Sequence, residues 1–193
     1  MFYFVVIVLG ILVLWLISTY NFFVTSATRV GAAIQEIGNQ LKRQADLIPN
    51  LEASVKGYLK HEKGIFDELA SVRKSVTEAA KSGDLKRMAD AGKKLSEVLP
   101  KIQVVVESNP EIKGAEVVTN LMDELRDTSD KVMYARRLLI DLTADYNVKR
   151  VTFPSSLVAG VFKFKALKGL ETEEEGDAFK VSSEEMKTPK VNL

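Results

Sequence analysis

His61 is the one histidine in a 193-residue chain that has no cysteine, so proton-transfer or transition-metal chemistry would have to be built around it. It is followed by Glu62 in the stretch HEKGI. This opens like the zinc-protease signature, in which two histidines one helical turn apart hold the metal and the glutamate acts as base. The second histidine would stand at position 65, which is Ile65. One imidazole and scattered carboxylates do not supply the convergent ligands that a transition metal needs. A hydrolase triad would also need His61 as its base, yet no serine lies in a G-x-S-x-G turn, and there is no glycine-rich phosphate loop. The inventory assigns no catalytic residue, no cofactor and no metal, and an enzyme working through His61 is a remote alternative.

The elements that would position these residues begin with an uncharged N-terminus. The first charged side chain is Arg29, and beyond it 27 Lys and Arg nearly balance 26 Asp and Glu. No global field attracts nucleic acid. Residues 2–24, FYFVVIVLGILVLWLISTYNFFV, are apolar with few interruptions. As a helix they extend about 35 Å, enough to cross a hydrocarbon core of ~30 Å, and Tyr3, Trp15 and Tyr20 suit the interfacial aromatic belts. A cleaved signal peptide would carry a basic start and a shorter apolar run; only TSA at 25–27 resembles a cleavage site. Residues 1–24 therefore read as a single-pass anchor contacting membrane lipid through 2–24. Arg29, Lys42 and Arg43 follow it and no basic residue precedes it. That bias places the N-terminus outside and the C-terminal domain in the cytoplasm.

Apolar residues then recur every three or four positions in four stripes. Val30, Ile34, Ile37, Leu41, Ala45 and Ile48 form the first. Leu51, Val55, Tyr58, Ile65, Leu69, Val72, Val76 and Ala79 form the second. Leu85, Met88, Leu95, Val98, Ile102 and Val105 form the third. The fourth runs from Gly114 through Val118, Leu121, Leu125, Thr128, Val132, Ala135, Leu139 and Leu142 to Tyr146. Such periods predict long helices packed at shallow angles. KSGDL at 81–85 supplies a Gly83 stop and an Asp84 N-cap. In ESNPEIKG at 107–114, Asn109 is expected to cap a helix that starts at Pro110. VTFPSS at 151–156 ends the fourth helix. The fold class is all-α: a transmembrane helix, then an antiparallel up-and-down bundle of about four long helices over residues 25–150.

Pro49 removes a backbone donor and crowds the carbonyl four residues earlier. A sharp reversal or a kink is therefore expected at DLIPN, as the first corner of the bundle, with residues 2–47 able to form one continuous helix ahead of it. Lys42 and Arg43 are spaced to pair with Asp46 along one helix. The segment 151–168 is apolar with interleaved lysines. Its Phe153, Pro154, Phe162 and Phe164 are candidates for packing on the bundle, on a neighbour or on an anionic membrane surface. Residues 169–193 read as an acidic, then mixed, tail.

At NQLKRQADLIPNLEASVKGYLKHE, residues 39–62, the sequence resembles the LemA family of bacterial membrane-anchored proteins. TYNFFV, NPEIK, DEL, YARR, DYN, FPSSLVAGVFKFK and PKVNL match further family blocks in the same order. The chain departs from the pattern at Gln44, where the family usually has a basic residue, and in LLIDLTADYN after the double arginine. The resemblance implies one N-terminal transmembrane helix, a cytoplasmic helical bundle and no established catalysis. It also implies links to membrane proteases, envelope stress and, in some bacteria, organelle formation. It singles out Lys42, Arg43, Asp46, Pro49, Asn50, Lys56, Gly57, Tyr58, His61 and Glu62 as one block, either a packing corner or a docking site. The function expected is a non-enzymatic membrane-anchored scaffold or adaptor for protein partners, among them membrane protease or envelope-stress components; the alternative is a self-assembling homo-oligomer.

Overall fold

The structure, a computed structural model, describes residues 1–56, 63–110 and 115–170, the side chains of Lys63 and Phe66 apart. Four long helices carry the core: α1 (Phe2–Val55), α2 (Lys63–Ser82), α3 (Leu85–Ser108) and α4 (Glu116–Val151). A short helix, α5 (Ser155–Val161), follows α4.

The first corner is not at Pro49. α1 runs through it without a break and ends only at Val55. The reason is the burial of the apolar residues on either side of the proline. Ile48, Leu51 and Val55 are all 0 % exposed, and burying each such side chain contributes about 1.5–3 kcal/mol. Together they outweigh the roughly 3 kcal/mol that proline costs inside a helix. Locally, Asn50 donates from Nδ2 to the Asp46 carbonyl at 3.4 Å, and Ser54 donates to the Asn50 carbonyl at 2.8 Å. Leu51 and Val55, expected on the second helix, thus complete the stripe of the first.

Cross-helix contacts give the order and direction of the bundle. Arg43 meets Glu124, and about twenty residues earlier on α1 Phe23 meets Tyr146, so α1 and α4 are antiparallel. Glu52 pairs with Arg73 across α1 and α2. Glu68 pairs with Lys101 and Ser75 with Lys94, so a step forward on α2 is matched by an equal step back on α3. Arg126 donates to Gln103 at 2.6 Å, and Arg136 reaches the Ala89 carbonyl, closing α3 on α4. The charged pairs among these each include an exposed partner, apart from the half-buried Arg136, so they set register more than stability.

Gly83, at φ +64°, makes the left-handed turn between α2 and α3, and Asp84 Oδ1 accepts from the Arg87 amide at 2.9 Å as the expected N-cap. Pro110 is helical, as expected after Asn109, which also closes α3; α4 itself begins at Glu116, with Ala115 as its N-cap.

One apolar core runs through the four long helices, from Val30, Ile37 and Leu41 on α1 to Leu125, Val132 and Leu139 on α4. α3 and α4 approach closely at Gly92, where a Cβ would lie 2.9 Å from Val132 Cγ1. Gln44 sits in this core at 0 % exposure, and neither of its amide atoms has a hydrogen-bond partner among the described residues.

Residues 1–18 stand apart: all are exposed except the half-buried Trp15. Phe2, Ile7 and Leu14 are 75 %, 61 % and 68 % exposed, unlike the core helix of a water-soluble domain. Burial begins at Thr19 and Phe23. The exposed part of α1 is long and apolar enough to cross a membrane. It is also one helix with the bundle's first element, with no linker between them.

Because Pro49 lies inside a packed helix, Pro49→Ala restores a backbone donor and relieves the crowding at the Ala45 carbonyl. Allowing for the freer unfolded chain, thermal unfolding in detergent should show a gain of about 2 kcal/mol. A corner proline would give no gain or a loss.

Candidate functional site

The block from Lys42 to Lys56 lies along the last turns of α1. Arg43 pairs across the bundle, its Nε donating to Glu124 Oε1 at 2.9 Å. The expected pairing along the helix is not formed, and Asp46 has no ion-pair partner among the described residues. Arg43 turns outward because Glu124, on the antiparallel neighbour, lies level with it. Lys42, Asp46, Asn50 and Lys56 are exposed, and Pro49 is half-buried. Gly57, Tyr58, His61 and Glu62 lie outside the described residues. Among the described residues, no group of three His, Cys, Asp or Glu side chains is placed to hold a metal ion.

The densest arrangement of specific contacts is at the other end of the bundle, where the exposed stretch of α1 meets the C-terminal segment. Ser155 terminates α4: its hydroxyl donates to the Lys149 carbonyl at 2.7 Å and lies 3.0 Å from the Thr152 carbonyl, meeting orphan acceptors of the last turn. The Phe153–Pro154 bond is cis. α5 then buries Ser155, Val158 and Ala159. It ends in a Schellman arrangement: the Phe164 amide donates to the Ala159 carbonyl, the Lys163 amide to that of Gly160, and Lys163 takes a left-handed φ of 56°.

That reversal returns Phe164 to the bundle. Its ring stacks on Phe23 at 4.8 Å, and Phe23 meets Tyr146 edge-on at 5.3 Å. Phe162 meets Tyr20 at 4.9 Å, and the Lys149 ammonium lies 4.7 Å from the centre of the Phe22 ring. Further on, Asn147 holds Leu167 by both main-chain groups: its Nδ2 donates to the Leu167 carbonyl at 2.9 Å, and its Oδ1 accepts from the Leu167 amide at 3.0 Å. Gly169 passes so near Thr143 that a Cβ would lie 3.1 Å from its methyl group.

Of the four C-terminal residues singled out from the sequence, Phe164 packs on the bundle and Phe162 packs partly. Phe153 is 80 % exposed, and Pro154 is the exposed residue that starts α5. Phe23, Asn147, Thr143 and Ser155 were not legible as partners. Their signal was faint: DYN at 145–147 puts an amide beside the apolar stripe, where a side chain can reach a neighbouring backbone.

Between α3 and α4 lies an open groove of about 450 Å³, lined by Leu99, Pro100, Val104, Met122, Arg126 and Met133 among others. It is an open, mostly apolar surface in which Arg126 and Asp130 are the titratable lining residues.

Asn147→Ala leaves both Leu167 groups unpaired and should cost about 1–3 kcal/mol, with the Leu167 amide losing its protection against hydrogen exchange. Burial pushes the Tyr146 phenol above its ordinary value of 10.0, against the opposing pull of the Arg150 guanidinium. The folded chain therefore keeps that proton longer than the unfolded chain. The contribution to stability is intact below about pH 10 and is lost as the pH rises further. Tyr146→Phe should flatten this alkaline decline in a denaturation series, while its behaviour at neutral pH stays close to the native chain's.

The LemA family model matches residues 33–192. The chain is also similar to the magnetosome protein MamQ of Magnetospirillum gryphiswaldense, at 25 % identity over 185 residues, covering 84 % of this chain and 68 % of the relative. The match takes in nearly all of the bundle, the α5 corner and the tail, and the chain belongs to the LemA family.

Proposed function

We propose that this LemA-family chain is a non-enzymatic, membrane-anchored scaffold or adaptor. The observation that carries this is α1: a single helix whose first turns expose only apolar surface and whose last turns build the bundle core. A domain held in this way is confined to a layer next to the bilayer and turns with its anchor. Such confinement raises the effective concentration of any partner at that surface.

The charge distribution supports a cytoplasmic bundle. Lys149, Arg150, Lys163, Lys165 and Lys168 lie in the residues that return to the end of the apolar stretch, and Arg29 follows it on α1. Basic residues flanking a span are retained on the cytoplasmic side. Membrane protease or envelope-stress components, implied by the family, are the candidate partners. The name of the similar magnetosome protein specifies no reaction.

Gentle extraction into lipid discs, followed by mass measurement and identification of co-purifying chains, tests the scaffold. The expected result is one 21.4 kDa chain, or a small number of copies, with a second protein in fixed ratio. A large particle containing this chain alone would replace the adaptor with a self-assembling structural protein.

A further inference from the structure

The short helix α5 is apolar on both of its faces. Ser155, Val158 and Ala159 are buried against the bundle, while Leu157 and Val161, four residues apart on the opposite side, are 61 % and 76 % exposed. Phe153 just before the helix is 80 % exposed, and Phe162 at its end is 53 % exposed. A helix facing water would present polar side chains there.

The position of this patch indicates what covers it. Phe162 touches Tyr20, immediately beyond the exposed apolar stretch of α1, so the two apolar surfaces are continuous. Its charge points the same way: residues 146–170 contain five basic side chains and no Asp or Glu. Lysine even occupies the left-handed position that ends α5, at Lys163, where glycine is usual. Apolar side chains rimmed by lysines suit the boundary between headgroups and acyl chains of an anionic bilayer.

We propose that α5 and its flanks form a foot, with Phe153, Leu157, Val161 and Phe162 inserted into the headgroup boundary of an anionic lipid bilayer beside α1. A lone span is free to tilt over tens of degrees. A second point of insertion, joined to the span through Phe162 and Tyr20, holds the bundle at one angle to the membrane. The foot rests on the anchor proposed above, and its test separates the two.

Trp15 is the chain's one tryptophan, so two single-tryptophan proteins suffice: the native chain, and a Trp15→Phe, Leu157→Trp chain whose new ring replaces an exposed side chain. Both are reconstituted in vesicles of phosphatidylcholine with phosphatidylglycerol, with bromine placed either high or low on the acyl chains. Quenching of Trp15 reports the anchor. For the foot, the tryptophan at 157 should be blue-shifted and lose most of its emission to the high bromine and less to the low one. That loss should shrink when phosphatidylglycerol is omitted.

If Trp15 is quenched but the tryptophan at 157 emits as in water, the foot is overturned and the anchor stands. A blue-shifted but unquenched tryptophan at 157 means that protein covers the patch, and overturns the foot in favour of a contact between copies. Quenching indifferent to phosphatidylglycerol overturns the role of the lysines. If Trp15 itself is unquenched, anchor and foot fall together.

Discussion

The antiparallel seam between α1 and α4 is the constraint on which the rest of the structure depends. From Phe23 against Tyr146 to Arg43 against Glu124, the two helices stay in register over about twenty residues, or roughly 30 Å of helix. Apolar burial along this seam supplies the adhesion, and the surface ion pair fixes its phase. α2 and α3 complete the bundle against it. Since α1 is 54 residues long and α4 is 36, register also dictates that the N-terminal part of α1 projects beyond its partner. The exposed apolar stretch is thus a consequence of helix pairing as well as of composition.

The same seam creates the corner at its open end. Where α4 stops, its last carbonyls are met by Ser155, α5 crosses back towards α1, and Lys163 reverses the chain so that Phe164 can stack on Phe23. Asn147 then holds the returning backbone at Leu167. Tyr146 and Phe23 serve both the seam and the corner, which couples the placement of the C-terminal segment to the packing of the long helices. Continuous helix and ring contacts thus tie the orientation of the apolar stretch to that of the bundle.

Much of this was legible in the periodicity. Ile37, Leu41, Leu69, Val76, Leu95, Ile102, Leu125 and Leu139 were all placed on core-facing stripes, and all are buried. Gly83 and Asp84 marked a turn whose chemistry is local, and the structure has it there. Of the two outcomes expected at Pro49, the reversal does not occur, because the local penalty is outweighed by the burial of Leu51 and Val55, which only a bundle can provide. Asn109 and Pro110 carry the local marks of a helix start and Pro110 is helical, whereas Ala115, the cap of α4 itself, carries none of those marks. Among the candidate site residues, the basic pair was recognised, but the partner of Arg43 was sought on its own helix.

What the sequence by itself determined are the properties that depend on near neighbours along the chain. These are helical periodicity, the uncharged apolar run, the glycine and aspartate turn, and the lysines interleaved in residues 151–168. Each arises from backbone geometry or side-chain solvation within a few residues. The tertiary structure alone decided which carboxylate Arg43 meets, that α1 passes through Pro49, and that Phe164 and Leu167 return to α1 and α4. Those outcomes depend on surfaces separated by up to about 140 residues of chain, and their free energies exist only once the helices are packed side by side.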